Sequence, residues 1–265
     1  MEIMTTQTPQ LLAAPHSLDN PCHISASHPP DATAHYAKCP TRERTVVVFD
    51  WDDTLCPSSW LHANNLLPKC RGDPVFLSAQ QQKTLETISS NVIRIIKKAV
   101  SFGPVFIVTA AEYGWVELSC SLFMQSAQEI LDLPDVHVVS ARTWYEQTFG
   151  YEGNANCWKY EVMQLIAQKC FAESSTSLDT YFNFVSIGDS MAERDACHLA
   201  IENISNTYAK TLKYVEQPGS EELIQQLQLT FESFDQMCTW ENSLDLQLTR
   251  SQLQELQNLN KTNTI

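Results

Sequence analysis

From residue 44 onward, short unbroken apolar runs alternate with stretches whose apolar positions recur every three or four residues. The runs TVVVFD (45–50), PVFIVT (104–109), VHVVSA (136–141), FNFVSIGDS (182–190) and TLKYVE (211–216) predict strands. They are rich in β-branched residues, and their continuity fits strands covered on both faces. Between them lie helical patterns. Over 79–101, Leu85, Ile88, Val92, Ile95, Ile96 and Ala99 share one face, and Gly103-Pro104 ends the pattern. Further helices are expected over 113–131, over 157–170 with Val162, Leu165 and Ile166 inward, and over 191–202. Pro218, Gly219 and Ser220 open a last core helix carrying Leu223, Ile224, Leu227 and Leu229. Strands alternating with helices predict an α/β fold, a doubly wound, Rossmann-like parallel sheet of five strands.

Two stretches break this rhythm. The first 41 residues hold six of the twelve prolines and four of the seven histidines, without apolar periodicity, and are expected to be a disordered tail. Cys22, His23, His28, His35 and Cys39 lie there, at spacings that match no zinc pattern. After residue 237 the chain turns Gln-, Asn- and Leu-rich, and is expected to form a peripheral helix through Leu253, Leu256 and Leu259, or a flexible tail. The folded domain is therefore expected over 42–237.

Composition narrows the function. A net charge of −14 argues against nucleic acid and anionic membranes as partners. Nine cysteines without a C-x-x-C pair suit free thiols in a reducing compartment. No run of 18 apolar residues is present, and MEIMTTQTPQLLAAPHS lacks the basic residues of a signal or transit peptide, so the expectation is a cytoplasmic chain.

In a doubly wound sheet, ligands bind at the carboxyl ends of the strands. The first predicted strand ends in Asp50-Trp51-Asp52-Asp53-Thr54, the second in Thr109, and the fourth in Gly188-Asp189-Ser190, with Lys159 at the start of the preceding helix. Asp50 and Asp52, two apart on extended chain, share one side. Carboxylates crowded in one crevice repel unless a cation lies among them, and Mg²⁺ is the expected cofactor, being hard, oxygen-seeking and content with few protein ligands. Thr109 offers a hydroxyl and a backbone N–H to a phosphoryl oxygen, and Lys159 a fixed positive charge. Each feature has a plainer reading. A D-x-D after a strand is often a turn or a helix cap, a strand-end Thr is often only a hydroxyl, and a helix Lys, with Lys169 as rival to Lys159, is often a surface residue.

Taken in order, these residues resemble the haloacid dehalogenase (HAD) superfamily of phosphohydrolases. Asp50, Asp52 and Thr54 match its D-x-D-x-T motif, Thr109 its second, Lys159 its third, and Gly188, Asp189 and Ser190 its fourth, with Glu193 or Asp195 as the later acid. The sequence departs from the pattern at Asp53, where many members have Gly, and at the bulky Trp51. The stretch VVSARTWYEQ also resembles a little-characterised group of eukaryotic HAD-like proteins.

The resemblance implies that Asp50 is the nucleophile and Asp52 the acid–base group, with Thr109 and Lys159 completing the catalytic set. It implies phosphate contacts from Thr109, Ala110 and Lys159, and support from Thr54, Ser190 and Glu193. Magnesium would be held by Asp50, Asp189 and the main chain at Asp52. About twenty residues separate Cys56 from the helix near Ala79, and about as many lie between Ala141 and Lys159, too few for an inserted cap domain. By analogy, open sites serve macromolecular substrates such as phosphoproteins. The expected activity is Mg²⁺-dependent hydrolysis of phosphate monoesters through an aspartyl-phosphate. The alternative is a HAD-fold binding or scaffold protein with little turnover.

Overall fold

The computed structural model describes residues 44–70, 72–150, 153–171 and 181–262. The expected N-terminal tail, with its Cys and His residues, lies outside them.

The first apolar run forms β1 (Thr45–Phe49), buried along its whole length. Its alternate residues face opposite ways: Val47 and Phe49 join one core, Val46 and Val48 the other. A short helix, α1 (Ser58–Ala63), follows, and then α2 (Ala79–Val100). Ser78 caps α2 through the Gln81 N–H, and all six predicted apolar positions of this helix are buried. β2 (Val105–Thr109) comes next, then α3 (Trp115–Phe123) and a 3₁₀ segment (Gln125–Asp132). One helix was expected over 113–131. It breaks at Met124, where φ is −135°, after a turn in which the Ser119 and Ser121 hydroxyls bond back to helix carbonyls.

β3 (Val136–Ser140), α4 (Ala141–Phe149) and α5 (Ala155–Phe171) lead to β4 (Phe182–Gly188) and α6 (Met191–Ile201). β5 (Thr207–Lys213) starts four residues earlier than expected. At its middle stands Lys210, fully buried, its ammonium spent on main-chain carbonyls. Then come α7 (Ser220–Thr239), β6 (Leu244–Gln247) and α8 (Arg250–Thr262).

The sheet is parallel throughout, in the order β3-β2-β1-β4-β5-β6. It therefore has six strands rather than five. The added strand is LDLQ, in the stretch expected to be a peripheral helix or flexible tail. It is short, largely exposed and without β-branched residues, so no pattern announces it. What docks it is Asp245, which accepts from Thr211 on β5 and from Arg194 on α6. The expected C-terminal helix is present as α8, with Leu253 buried.

Two apolar cores sandwich the sheet. One is built on α2, α3 and α7, the other on α5 and α6. The chain winds outward from β1 through β2 to β3, returns to β4 beside β1, and winds the other way. The reversal opens a crevice at the carboxyl ends of β1 and β4. Among the described residues, no helix is long and apolar enough to cross a membrane.

Candidate functional site

Asp50 directly follows β1, and its N–H donates to the Ile187 carbonyl of β4 at 2.9 Å, which seats it at the crevice. Gly188 closes β4 and Asp189 follows. The two strands thus place Asp50 and Asp189 on adjoining strand ends. Lys159 projects from the first turns of α5 and is 4% exposed. Its Nζ donates to Asp50 Oδ1 at 2.7 Å and also to Glu193 Oε1.

Of the two acids that follow Ser190, Glu193 is the one that meets Lys159. It is buried on α6, and its Oε2 accepts from the Ser190 N–H at 3.0 Å and the Ser190 hydroxyl at 2.5 Å, a capping box at the head of the helix. Asp195 is exposed and meets Arg194. Gly188 makes the Glu193 position possible. A Cβ on Gly188 would lie 2.4 Å from Glu193 Cγ and 2.8 Å from its Cβ, so the carboxylate reaches Lys159 only across a residue with no side chain.

The electrostatics follow from burial. Asp50 is pushed well above the usual carboxylate range by desolvation; Lys159 opposes this, while Glu193 and Asp52 add to it. Burial also lifts Asp189, with Glu193 and Asp53 adding to it, to about 7. For Glu193, burial acts upward but is outweighed by Lys159 and the Ser190 donors, and the acid lies below its ordinary value. Burial penalises the Lys159 ammonium, yet Asp50 and Glu193 overcome it and raise its pKa.

Asp52 turns aside from this cluster. Its Oδ1 accepts from the Ser58 hydroxyl at 2.5 Å and from Trp115 Nε1 at 2.8 Å, and its Oδ2 from the Thr109 hydroxyl at 3.0 Å. Thr109 Oγ1 in turn accepts the Ala111 N–H at 3.0 Å. The Thr109 hydroxyl expected to meet phosphate is therefore spent on Asp52. Ala110, half-buried, directly follows Thr109 at the end of β2.

Asp53 has φ +57° and accepts from the Ser59 N–H at 2.7 Å and the Ser59 hydroxyl at 2.5 Å, which pins the start of α1. Burial raises its pKa and the Ser59 donors oppose this. The Thr54 hydroxyl is buried without a hydrogen-bond partner. Lys169, the rival lysine, lies near the far end of α5. Arg142, in the first turn of α4, is engaged by Glu112 at 3.5 Å and Glu146 at 2.9 Å.

Neither Trp115 nor Ser58 announces itself in the sequence as a partner of Asp52, although both hold it. A hydroxyl or indole has no one-dimensional signature of its partner. Among the described residues, no three carboxylate, imidazole or thiolate groups stand ready around one point as a preformed metal cage. Asp50 faces Lys159 and Asp52 faces its three donors. The donor set nonetheless fits magnesium. Asp50 and Asp189 offer hard carboxylate oxygens on adjoining strand ends, and beside burial, which is the main cause of their raised pKa values, the neighbouring acids Glu193, Asp52 and Asp53 add to the shifts.

No family model matches the chain. No curated protein matches it. Among solved structures, the crystal structure of Legionella pneumophila effector Ceg4 with an N-terminal yeast Hog1p sequence aligns with a TM-score of 0.40 and 14% identity. The alignment covers 77% of this chain and 98% of that one, and at this score the likeness assigns neither family nor function.

Proposed function

We propose that this chain is a HAD-like hydrolase of phosphate monoesters that works through a phosphorylated Asp50 and uses magnesium. The observation that carries the reading is the placement of Asp50 in the crevice between β1 and β4, 2.7 Å from a buried lysine that a second acid, Glu193, holds in place. A carboxylate serving only as a helix cap has no need of a buried ammonium beside it.

In this reading Asp50 attacks phosphorus, an O–P bond forms to its carboxylate, and the bond to the leaving oxygen breaks. Asp52 gives its proton to that oxygen. Water then attacks the phosphoaspartate, Asp52 takes the proton from the water, the Asp50–phosphorus bond breaks, and orthophosphate leaves. Positioned acid–base help of this kind contributes about 10²- to 10⁴-fold. Lys159 binds the nucleophile and neutralises charge on the phosphoryl group, and Glu193 with Ser190 fixes Lys159. Main-chain groups at Thr109 and Ala110 supply phosphate contacts, the Thr109 hydroxyl being engaged with Asp52. Magnesium, held by Asp50, Asp189 and the main chain at Asp52, would supply charge neutralisation and polarise a phosphoryl oxygen. The segments following β1 and β3 carry only α1 and α4 as regular structure among the described residues, which supports an open site and a macromolecular phosphoester substrate.

The test is turnover of p-nitrophenyl phosphate and phosphopeptides with Mg²⁺. Wild type should hydrolyse them. Asp50→Asn should form no phosphoenzyme, and Asp52→Asn should accumulate it from p-nitrophenyl phosphate, whose leaving group needs little protonation. Retained turnover in Asp50→Asn would show the nucleophile to be misassigned. Inactive wild type would favour the binding or scaffold alternative.

A further inference from the structure

We infer that Trp115 and Ser58 are positioning residues for the acid–base carboxylate, and that they leave Asp52 Oδ2 as the oxygen that exchanges the proton. The inference rests on the phosphatase reading above.

The argument starts from hydrogen-bond capacity. Each carboxylate oxygen offers two in-plane acceptor sites. Ser58 Oγ and Trp115 Nε1, at 2.5 and 2.8 Å, occupy both sites on Oδ1. Thr109 Oγ1, at 3.0 Å, takes one on Oδ2. The remaining site on Oδ2 is the place for a proton in transit. Indole N–H donates only and keeps its proton, so Trp115 can hold Oδ1 without competing for the proton being transferred.

The three donors come from separate elements. Ser58 opens α1, Thr109 closes β2 and Trp115 opens α3. Trp115 is itself fixed. Trp51, fully buried and one residue from Asp52, donates its indole N–H to Ser119 Oγ at 2.9 Å, and that hydroxyl donates to the Trp115 carbonyl at 2.7 Å. The bulky residue between the two motif aspartates thus locks the first turn of α3. A chain of hydrogen bonds links the peptide that carries Asp52 to the helix that carries its donor.

The test pairs two esters with two kinds of readout. Trp115→Phe keeps the ring and removes the donor. With an alkyl phosphate, whose leaving oxygen must be protonated, kcat/KM, which reports the phosphorylation step and not the later hydrolysis common to both esters, should fall about 10- to 100-fold, the range for losing a hydrogen bond to a charged group. With p-nitrophenyl phosphate the fall should be under about threefold, since protonation matters little there. Ser58→Ala should show the same split, and Ser58→Thr, which keeps a hydroxyl, should restore it. The Ser58 pair carries the test should Trp115→Phe fail to fold. Independently of turnover, the indole ¹H–¹⁵N resonance of Trp115 should move when Asp52 becomes Ala.

Equal losses of kcat/KM on both esters, or none, would overturn the positioning role while leaving the phosphatase reading intact. So would an indole resonance that ignores Asp52→Ala. Inactive wild type on both esters would overturn the phosphatase reading and the catalytic role with it, with the indole resonance alone still reporting the contact.

Discussion

Asp189 is the residue whose chemistry is most exposed to experiment. Burial, then Glu193 and Asp53, hold its carboxyl near 7, against an unfolded value of about 4. Between those values the folded chain keeps a proton that the unfolded chain gives up. Metal-free stability should therefore decline as pH rises from about 4 to about 7 and level off above that. Asp50, also raised, acts in the same direction. In the phosphatase reading magnesium competes with the proton, so its stabilisation should grow over the same window. The expected result is a melting temperature in EDTA that falls from pH 5 to 7.5, a fall that millimolar Mg²⁺ suppresses and that Asp189→Asn reduces. The same pH slope in EDTA for wild type and Asp189→Asn would show that this carboxyl is not shifted by its surroundings.

At the level of elements, α7 and β5 are joined by a lysine rather than by apolar contact alone. Lys210 Nζ donates to the carbonyls of Met237, Cys238 and Trp240 at 2.9, 3.0 and 2.6 Å. These groups lie at the C-terminus of α7, where carbonyls lack helical partners and the helix dipole favours a cation. Burial pushes the ammonium down to about 8, so it stays largely charged at neutral pH. Lys210→Met fills a similar volume but strands those carbonyls. It should cost about 3 kcal/mol, read as a lower urea midpoint at unchanged slope. A loss under about 0.5 kcal/mol would mean that water replaces the ammonium. The sixth strand is secured in the same fashion, by Asp245 reaching Arg194 and Thr211 rather than by apolar burial.

The whole molecule carries a net charge of −14 and concentrates acids at one crevice. A phosphoester approaching it is an anion approaching an anionic body, and the long-range field opposes the encounter. In the phosphatase reading, a phosphopeptide flanked by Lys and Arg should show higher kcat/KM at low salt than one flanked by Asp and Glu. The gap should close as added salt shortens the screening length from about 30 Å at 0.01 M to about 8 Å at 0.15 M. Steady-state assays of the two peptides across that range test it. A preference for the acidic peptide at low salt would point to a local basic surface that outweighs the net charge.

The alternation of apolar runs and helical periods was enough to predict a parallel doubly wound sheet, and with it the gathering of Asp50, Thr109 and Asp189 at one end. These features are local: a β-branched run buries both faces wherever it occurs, and topology follows from element order. The strand LDLQ was illegible because a short exposed edge strand needs no hydrophobic pattern, only a partner such as Arg194 to dock on. The choice of Glu193 over Asp195 depended on which acid crosses Gly188 to reach Lys159, a contact between two helices. The burial of Lys210 was not legible either, because its acceptors lie on a distant helix end. Trp115 meets Asp52 only once α3 has packed against the end of β1, whereas Ser58, six residues on, meets it through the local turn into α1. Hydrogen bonds between side chains far apart in sequence have no period along the chain, so folding alone could reveal them.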